Sequence, residues 1–179
     1  DGHRAGDVIA RIRALFNKEE PNQRVLDVND IVHHVLELSR EAIDQQRVVA
    51  RIELAPSPLL VMGDPVQLQQ VLVNLVTNAL EAMSRIADRP LKMTMRTEVE
   101  RGRAVVLSVE DSGRGLDPEQ MSCIFDSFYT TKPDGIGVGL AISRSIIEAH
   151  GGSLWASPDT LCGAKVGFTL PLARDGGGA

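Results

Sequence analysis

Aromatic residues are scarce in this chain, with Phe, Tyr and Trp together making up 3% of 179 residues. A hydrophobic fraction of 43% still suffices for a core, which aliphatic side chains must then dominate. Basic residues are also few, 19 Lys and Arg against 24 Asp and Glu, for a formal net charge of −5. A surface that follows nucleic-acid phosphates needs a basic excess, so nucleic acid is not an expected partner. Only two cysteines occur, Cys123 and Cys162, with neither CxxC spacing nor a nearby His. They read as reduced thiols of a cytoplasmic protein rather than a disulfide or a metal site. No apolar run approaches the ~18 residues of a membrane span, and no signal peptide opens the chain. No membrane contact is expected of this segment, whether its parent is membrane-anchored or soluble. There is no internal repeat, and the length suits one compact domain with a short attachment.

Val8, Ile9, Ile12, Leu15 and Phe16 lie on one helical stripe within residues 4–16. That stripe needs a partner, such as a second copy of the chain, because about 13 residues is near the lower limit for an unpacked helix. Polar residues 17–24, broken by Pro21, read as a linker. The expected organisation is an attachment over 1–22, a globular domain over 23–174 and a disordered tail over 175–179. Within the domain, Leu26 to Val28 predicts a short strand. Asp30 is the expected cap of a helix to about Gln46, with Ile31, Val32, Val35, Leu36 and Ile43 inward. Strands are expected at 47–54 and 59–62, separated by Pro56 and Pro58. Asp64-Pro65 predicts a helix start. Its i, i+3, i+4 series runs through Leu68, Val71, Leu72, Leu75, Val76, Ala79, Leu80 and Met83. Strands at 91–99 and 104–110 flank a turn near Gly102. A short helix is expected at 117–124, a loop at 129–138, and a helix from Leu140 to His150 closed by Gly151-Gly152. Strands at 153–156 and 165–170 complete the domain. These elements give an α+β fold, a two-layer α/β sandwich with a mixed sheet covered on one face by helices.

Three short segments carry chemistry. On the long helix Gln67, Gln70, Asn74, Asn78 and Glu81 lie opposite the apolar stripe. Asn is a poor interior helix residue, by a few tenths of a kcal/mol relative to Ala, so two of them one turn apart suggest a task beyond solvation. An Asn carbonyl is a hard, neutral oxygen suited to Mg²⁺, which takes its other ligands from water and phosphates. Asp111 ends an apolar strand before Ser112-Gly113-Arg114-Gly115. An ordinary turn uses these residue types too. As a site, the carboxylate would accept a hydrogen bond from the adenine amino group while Gly113 and Gly115 admit the base closely. Gly135, Gly137 and Gly139 lead into a helix, where backbone N–H groups and the dipole favour phosphate. The spacing is neither G-x-G-x-x-G nor G-x-x-x-x-G-K-[ST], which excludes a dinucleotide fold and a P-loop.

In this order, with Phe125 and Phe128 between the glycine segments, the set resembles the catalytic, ATP-binding domain of sensor histidine kinases over roughly residues 23–172. The resemblance implies the Bergerat ATP-binding fold of the GHKL superfamily, with ATP and Mg²⁺ as ligands. It assigns the metal to Asn78, places Asn74 near the phosphates, and gives Asp111 the adenine. Phe125 and Phe128 correspond to hydrophobic anchors of the lid, and Lys132 to a phosphate contact. Residues 130–152, TTKPDGIGVGLAISRSIIEAHGG, are most similar to kinases of the nitrogen-regulatory, dicarboxylate-sensing and oxygen-sensing type. Ala164 replaces a Thr often found at the start of the closing strand.

Such kinases transfer the γ-phosphoryl group of ATP to a histidine on a dimerising helical hairpin, in a segment beginning His-Glu and ending near a Pro. His3, His33, His34 and His150 all lack that context, so no catalytic residue is assigned here. His33 and His34 read as helix-surface residues. The expected identity is the catalytic fragment of a two-component kinase, with the end of the hairpin's second helix over 1–22. Its implied partners are that hairpin, within a homodimeric parent, and a response regulator. ATPases of the same fold carry a Glu base where this chain has Asn74, an amide that cannot take a proton from water. Two other readings stand beside the kinase: a nucleotide-gated interaction module without transfer activity, and an ATPase or serine kinase of the same fold.

Overall fold

A computed structural model describes residues 22–130, 137–158 and 163–173. The stripe at 4–16, Lys132, Gly135, Cys162 and the C-terminal tail lie outside the described residues. Strand β1 (Arg24–Asp27) leads into helix α1 (Val28–Gln45), and strands β2 (Val49–Glu53) and β3 (Leu60–Gly63) follow. Helix α2 (Pro65–Met83) precedes the long strands β4 (Lys92–Glu100) and β5 (Ala104–Asp111). Helices α3 (Pro118–Cys123) and α4 (Gly139–Ala149) come next, and β6 (Ser153–Pro158) and β7 (Ala164–Pro171) close the fold.

Five strands form one sheet in the order β2-β4-β5-β7-β6. β2 runs parallel to β4, and the other neighbours are antiparallel, so the sheet is mixed as expected. β1 and β3 make a separate antiparallel pair. Alternate residues of the central strands, Met93 and Met95, Val105, Leu107 and Val109, and Phe168 and Leu170, are buried against the helices. This is the period-2 signature of a sheet with one covered face. The α2 stripe from Leu68 to Met83 is buried along its whole length. At roughly 1.5–3 kcal/mol per fully buried Leu or Val, α2 is the main hydrophobic contributor among the helices.

The helix ends explain the boundaries. Asp64 caps α2, its Oδ1 accepting from the backbone N–H of Val66 at 2.9 Å and Gln67 at 3.2 Å. Pro65 occupies the first turn, where no backbone donor is lost. At α1 the cap is Asp27 rather than Asp30, and Val28 belongs to the helix rather than the strand. Asp27 Oδ1 accepts from Asn29 N–H and, across the β2–β3 connection, from Leu59 N–H, both at 3.0 Å. Serving two segments at once makes Asp27 the better cap. Asp30 lies in the first turn, where its charge complements the helix dipole. His33 and His34 are exposed on α1 as expected.

His150 behaves differently. It is 8% exposed, and both ring nitrogens are engaged. Its Nε2 accepts from the backbone N–H of Asp64 at 3.0 Å, and Nδ1 lies 2.7 Å from the Ile146 carbonyl. A backbone N–H can only donate and a carbonyl can only accept, so the ring is neutral with its proton on Nδ1. Asp64 Oδ2 in turn accepts from Asn22 N–H at 3.0 Å. The end of α4, the start of α2 and the entering chain therefore meet at Asp64.

Candidate functional site

Helix α2 brings the three chemistry-bearing segments together. Gln67, Gln70, Asn74 and Asn78 are half-buried and Glu81 is exposed, so this flank is not simply solvated. The reason is α4. Asn74 Nδ2 donates to Ser143 Oγ at 3.0 Å, and that hydroxyl donates to the Gly139 carbonyl at 2.9 Å. Ser143 is 2% exposed. A Cβ on Gly139 would lie 2.6 Å from Asn74 Oδ1, so the Asn74 amide sits directly on the first turn of α4. That helix starts without a side-chain cap. The N-cap residue Val138 thus has no side chain to compete with an anion for the first N–H groups.

One turn beyond Asn78, the end of α2 meets the Asp111 loop. Asp111 is 7% exposed, and its Oδ1 accepts from Gly113 N–H at 2.8 Å. A Cβ on Gly113 would fall 2.8 Å from the Ala82 carbonyl, which explains glycine there: the loop backbone lies against the last turn of α2. Ser112 is locked to the edge of β4, its N–H donating to Lys92 O at 3.0 Å and its Oγ accepting from Lys92 N–H at 2.8 Å. Arg89, in the α2–β4 connection, donates to two successive loop carbonyls, Nε to Ser112 O at 3.2 Å and Nη2 to Gly113 O at 2.7 Å. From the other side Gly115, at φ +80°, faces Gly163 at the start of β7.

Phe125 is half-buried. Phe128, expected as a hydrophobic anchor, is 75% exposed. Its N–H donates to the Gly137 carbonyl at 2.8 Å. Gly137 has φ +70°, and a Cβ there would lie 2.5 Å from the Tyr129 carbonyl, so this tight crossing requires glycine. Ile124 is the buried apolar residue of this stretch, at 8% exposure. A hydrogen bond with the Cys123 thiol raises the pKa of the Tyr129 hydroxyl, with burial and nearby Asp117 and Glu119 adding to it.

Asn74 and Asn78 thus lie on α2, with Gly139 against Asn74 and Gly113 against Ala82, while Gly115 faces Gly163 and Gly137 crosses Tyr129. Lys132 and Gly135 lie outside the described residues. Arg89 and Ser143 were not anticipated. An Arg in a polar loop and a Ser inside a helix carry no distinguishing local pattern. Among the described residues no group of three or more His, Cys, Asp or Glu could hold a metal. No described helix is long and apolar enough to cross a membrane.

Residues 63–174 match the family model described as histidine kinase-, DNA gyrase B-, and HSP90-like ATPase. The chain is 41% identical to the sensor protein FixL of Bradyrhizobium diazoefficiens over 172 residues, which is 96% of this chain and 34% of that protein. It spans about a third of the length of that relative. Among solved structures it resembles the nucleotide-free catalytic domain of histidine kinase ThkA, at 30% identity and TM-score 0.75. That match covers 86% of this chain and 99% of the other. ThkA in complex with the response regulator protein TrrA matches at 26% identity and TM-score 0.77, over 96% of this chain and 49% of that one.

Proposed function

The chain belongs to the histidine kinase-, DNA gyrase B- and HSP90-like ATPase family, as a histidine kinase catalytic domain, and from that premise we propose that it binds Mg-ATP and donates the γ-phosphoryl group to a histidine on a separate helical hairpin. The observation that carries this reading is the meeting of three segments on α2: the buried Asp111 loop at its end, the Asn pair on its flank, and the first turn of α4 on Asn74.

Asp111 accepts the adenine amino group, and Gly113 and Gly115 let the backbone approach the base. Asn74 and the first N–H groups of α4, with Gly135, Gly137, Gly139 and Lys132, face the phosphates. Asn78 is the protein's ligand to Mg²⁺. One neutral amide, without an acidic cluster among the described residues, suits a hydrated Mg²⁺ held mostly through phosphate oxygens. The metal supplies charge neutralisation on the phosphates. Transfer forms a bond from an imidazole nitrogen to the γ-phosphorus as the β–γ bridging P–O bond breaks and ADP leaves. Protein positioning dominates such a reaction. Asn74 supports transfer over hydrolysis, since its amide, already donating to Ser143, cannot accept a proton from water.

Residues 1–22 are the end of the hairpin's second helix with its linker, 23–174 the catalytic domain, and 175–179 a tail. The parent is a homodimeric, two-component kinase with a response regulator as its downstream partner, and this domain works in the cytoplasm. Calorimetric titration with a non-hydrolysable ATP analogue, with and without Mg²⁺, should show binding that Mg²⁺ strengthens. Adding a hairpin that bears the phosphoacceptor histidine should then yield phosphohistidine. Binding without any transfer would replace the kinase with a nucleotide-gated interaction module.

A further inference from the structure

We infer that Arg89 is a positioning residue for adenine recognition, acting through Asp111 without touching the nucleotide. The inference rests on the assignment of adenine to Asp111 and extends it to a residue in a different loop. The key element is the peptide unit joining Ser112 to Gly113. Its carbonyl accepts from Arg89 Nε at 3.2 Å, and its N–H donates to Asp111 Oδ1 at 2.8 Å. The described residues contain no cis peptide bond. In a trans peptide the C=O and N–H point in opposite directions, so a group holding the carbonyl aims the N–H. Arg89 and Asp111 therefore grip one peptide plane from its two sides, and whatever fixes that plane helps to aim the carboxylate.

The second contact tightens this grip. Arg89 Nη2 donates to the next carbonyl, Gly113 O, at 2.7 Å, so the guanidinium fork spans two consecutive peptide units. A planar fork matches two fixed acceptors better than a flexible ammonium does. Arg89 has little else to do: its acidic neighbour Asp88 is 3.6 Å away with its side chain 76% exposed, a weak ion pair. The Gly113 side of the loop cannot shift toward α2, because the Ala82 carbonyl already occupies that space. Loss of Arg89 would release the Ser112 and Gly113 carbonyls, loosening the plane whose N–H donates to Asp111 Oδ1.

The test compares ADP with purine riboside diphosphate, which differs in lacking the exocyclic amino group, by calorimetry on wild type, Arg89→Ala, Arg89→Lys, Asp111→Asn and the double variant Arg89→Ala/Asp111→Asn. Arg89→Ala should weaken ADP about tenfold while purine riboside diphosphate changes less than about twofold, the scale of one well-aligned charge-assisted hydrogen bond. Arg89→Lys, able to reach one carbonyl, should fall between. The double variant should bind ADP no worse than Asp111→Asn, because residues acting on one contact are not additive. Equal weakening of both nucleotides, unchanged ADP affinity, or full additivity with Asp111→Asn would overturn the positioning role. If Arg89→Ala lacks a cooperative melt, the Arg89→Lys selectivity ratio decides in its place. Selectivity unaltered in Asp111→Asn would instead remove the adenine assignment, and the role of Arg89 with it.

Discussion

Replacing His150 by Leu removes two hydrogen bonds from a position only 8% exposed. The Asp64 N–H loses its acceptor at 3.0 Å, and Asp64 is itself 9% exposed. A buried donor left unpaired costs about 1–3 kcal/mol. The Nδ1 contact to the Ile146 carbonyl matters less, because that carbonyl also accepts the His150 backbone N–H at 3.1 Å. Its loss adds about 0.5–1 kcal/mol. Together these predict a destabilisation of about 1.5–4 kcal/mol, which lowers the melting temperature of a domain this size by roughly 3–15 °C. His150→Gln should recover about half of the loss, since its side-chain amide reaches near the position of the imidazole Nε2 and presents an acceptor to Asp64 N–H. Thermal melts and urea titrations of the three proteins decide the matter. Amide exchange should localise the damage to the first turn of α2, where Asp64 is the cap. A Leu variant within about 0.5 kcal/mol of wild type, or no separation between Leu and Gln, would refute the reasoning, because a buried, satisfied donor cannot lose its partner without cost.

The parts of this fold that the residue pattern made legible are those whose signal is local. The α2 stripe, the Asp64-Pro65 start and the Gly151-Gly152 stop are written within a few positions of the elements they bound. Asp111, Asn78 and the glycines stand out in the sequence because nucleotide chemistry restricts which residue types can serve, and their roles there belong to the proposal. Asp27 was missed as a cap because its second bond, to Leu59, closes a loop 32 residues away. Local spacing favoured Asp30 equally. His150 was visible only as a helix-ending residue, while its partner Asp64 N–H is 86 positions distant. Arg89 and Ser143 share this property: Arg89 donates to main-chain carbonyls 23 and 24 positions away, and Ser143 accepts from the amide of Asn74, 69 positions away. Phe128 illustrates the converse. An aromatic residue suggested an apolar anchor, and the contact it makes to Gly137 runs through its N–H, at φ +69°, a main-chain geometry that has no residue-type signature.

Two further outcomes follow from the site and the sheet. On the open edge of the sheet, a hydrogen bond and charge attraction from Arg96 hold the Glu53 carboxyl below its ordinary range. A depressed folded-state pKa stabilises the fold above the unfolded value, about 4.3, and that contribution is lost as pH falls through the folded value. Glu53→Gln should therefore lower stability slightly near neutrality, where the contribution is fully present, and converge with wild type as pH falls below about 4.5, which flattens the acid limb of the stability–pH profile. An acid limb identical to wild type would exclude the pair as a source of pH dependence. The second concerns Asn78 and separates metal binding from nucleotide binding. Asn78→Ala removes the proposed metal ligand one turn from Asn74 but leaves the Asp111 loop and its contact with Ala82 in place. Metal-free ADP binding should then stay within about twofold of wild type, while the gain in affinity on adding Mg²⁺ falls about tenfold, the scale of one lost ligand to a charged centre. A chain that kept the whole Mg²⁺-dependent gain would show that the metal takes all its ligands from phosphate and water. Equal losses with and without Mg²⁺ would mean that Asn78 supports the pocket walls instead. Only a selective loss fits an amide oxygen acting as the one protein ligand in a site built from phosphates, glycine backbone and a buried carboxylate at the far end.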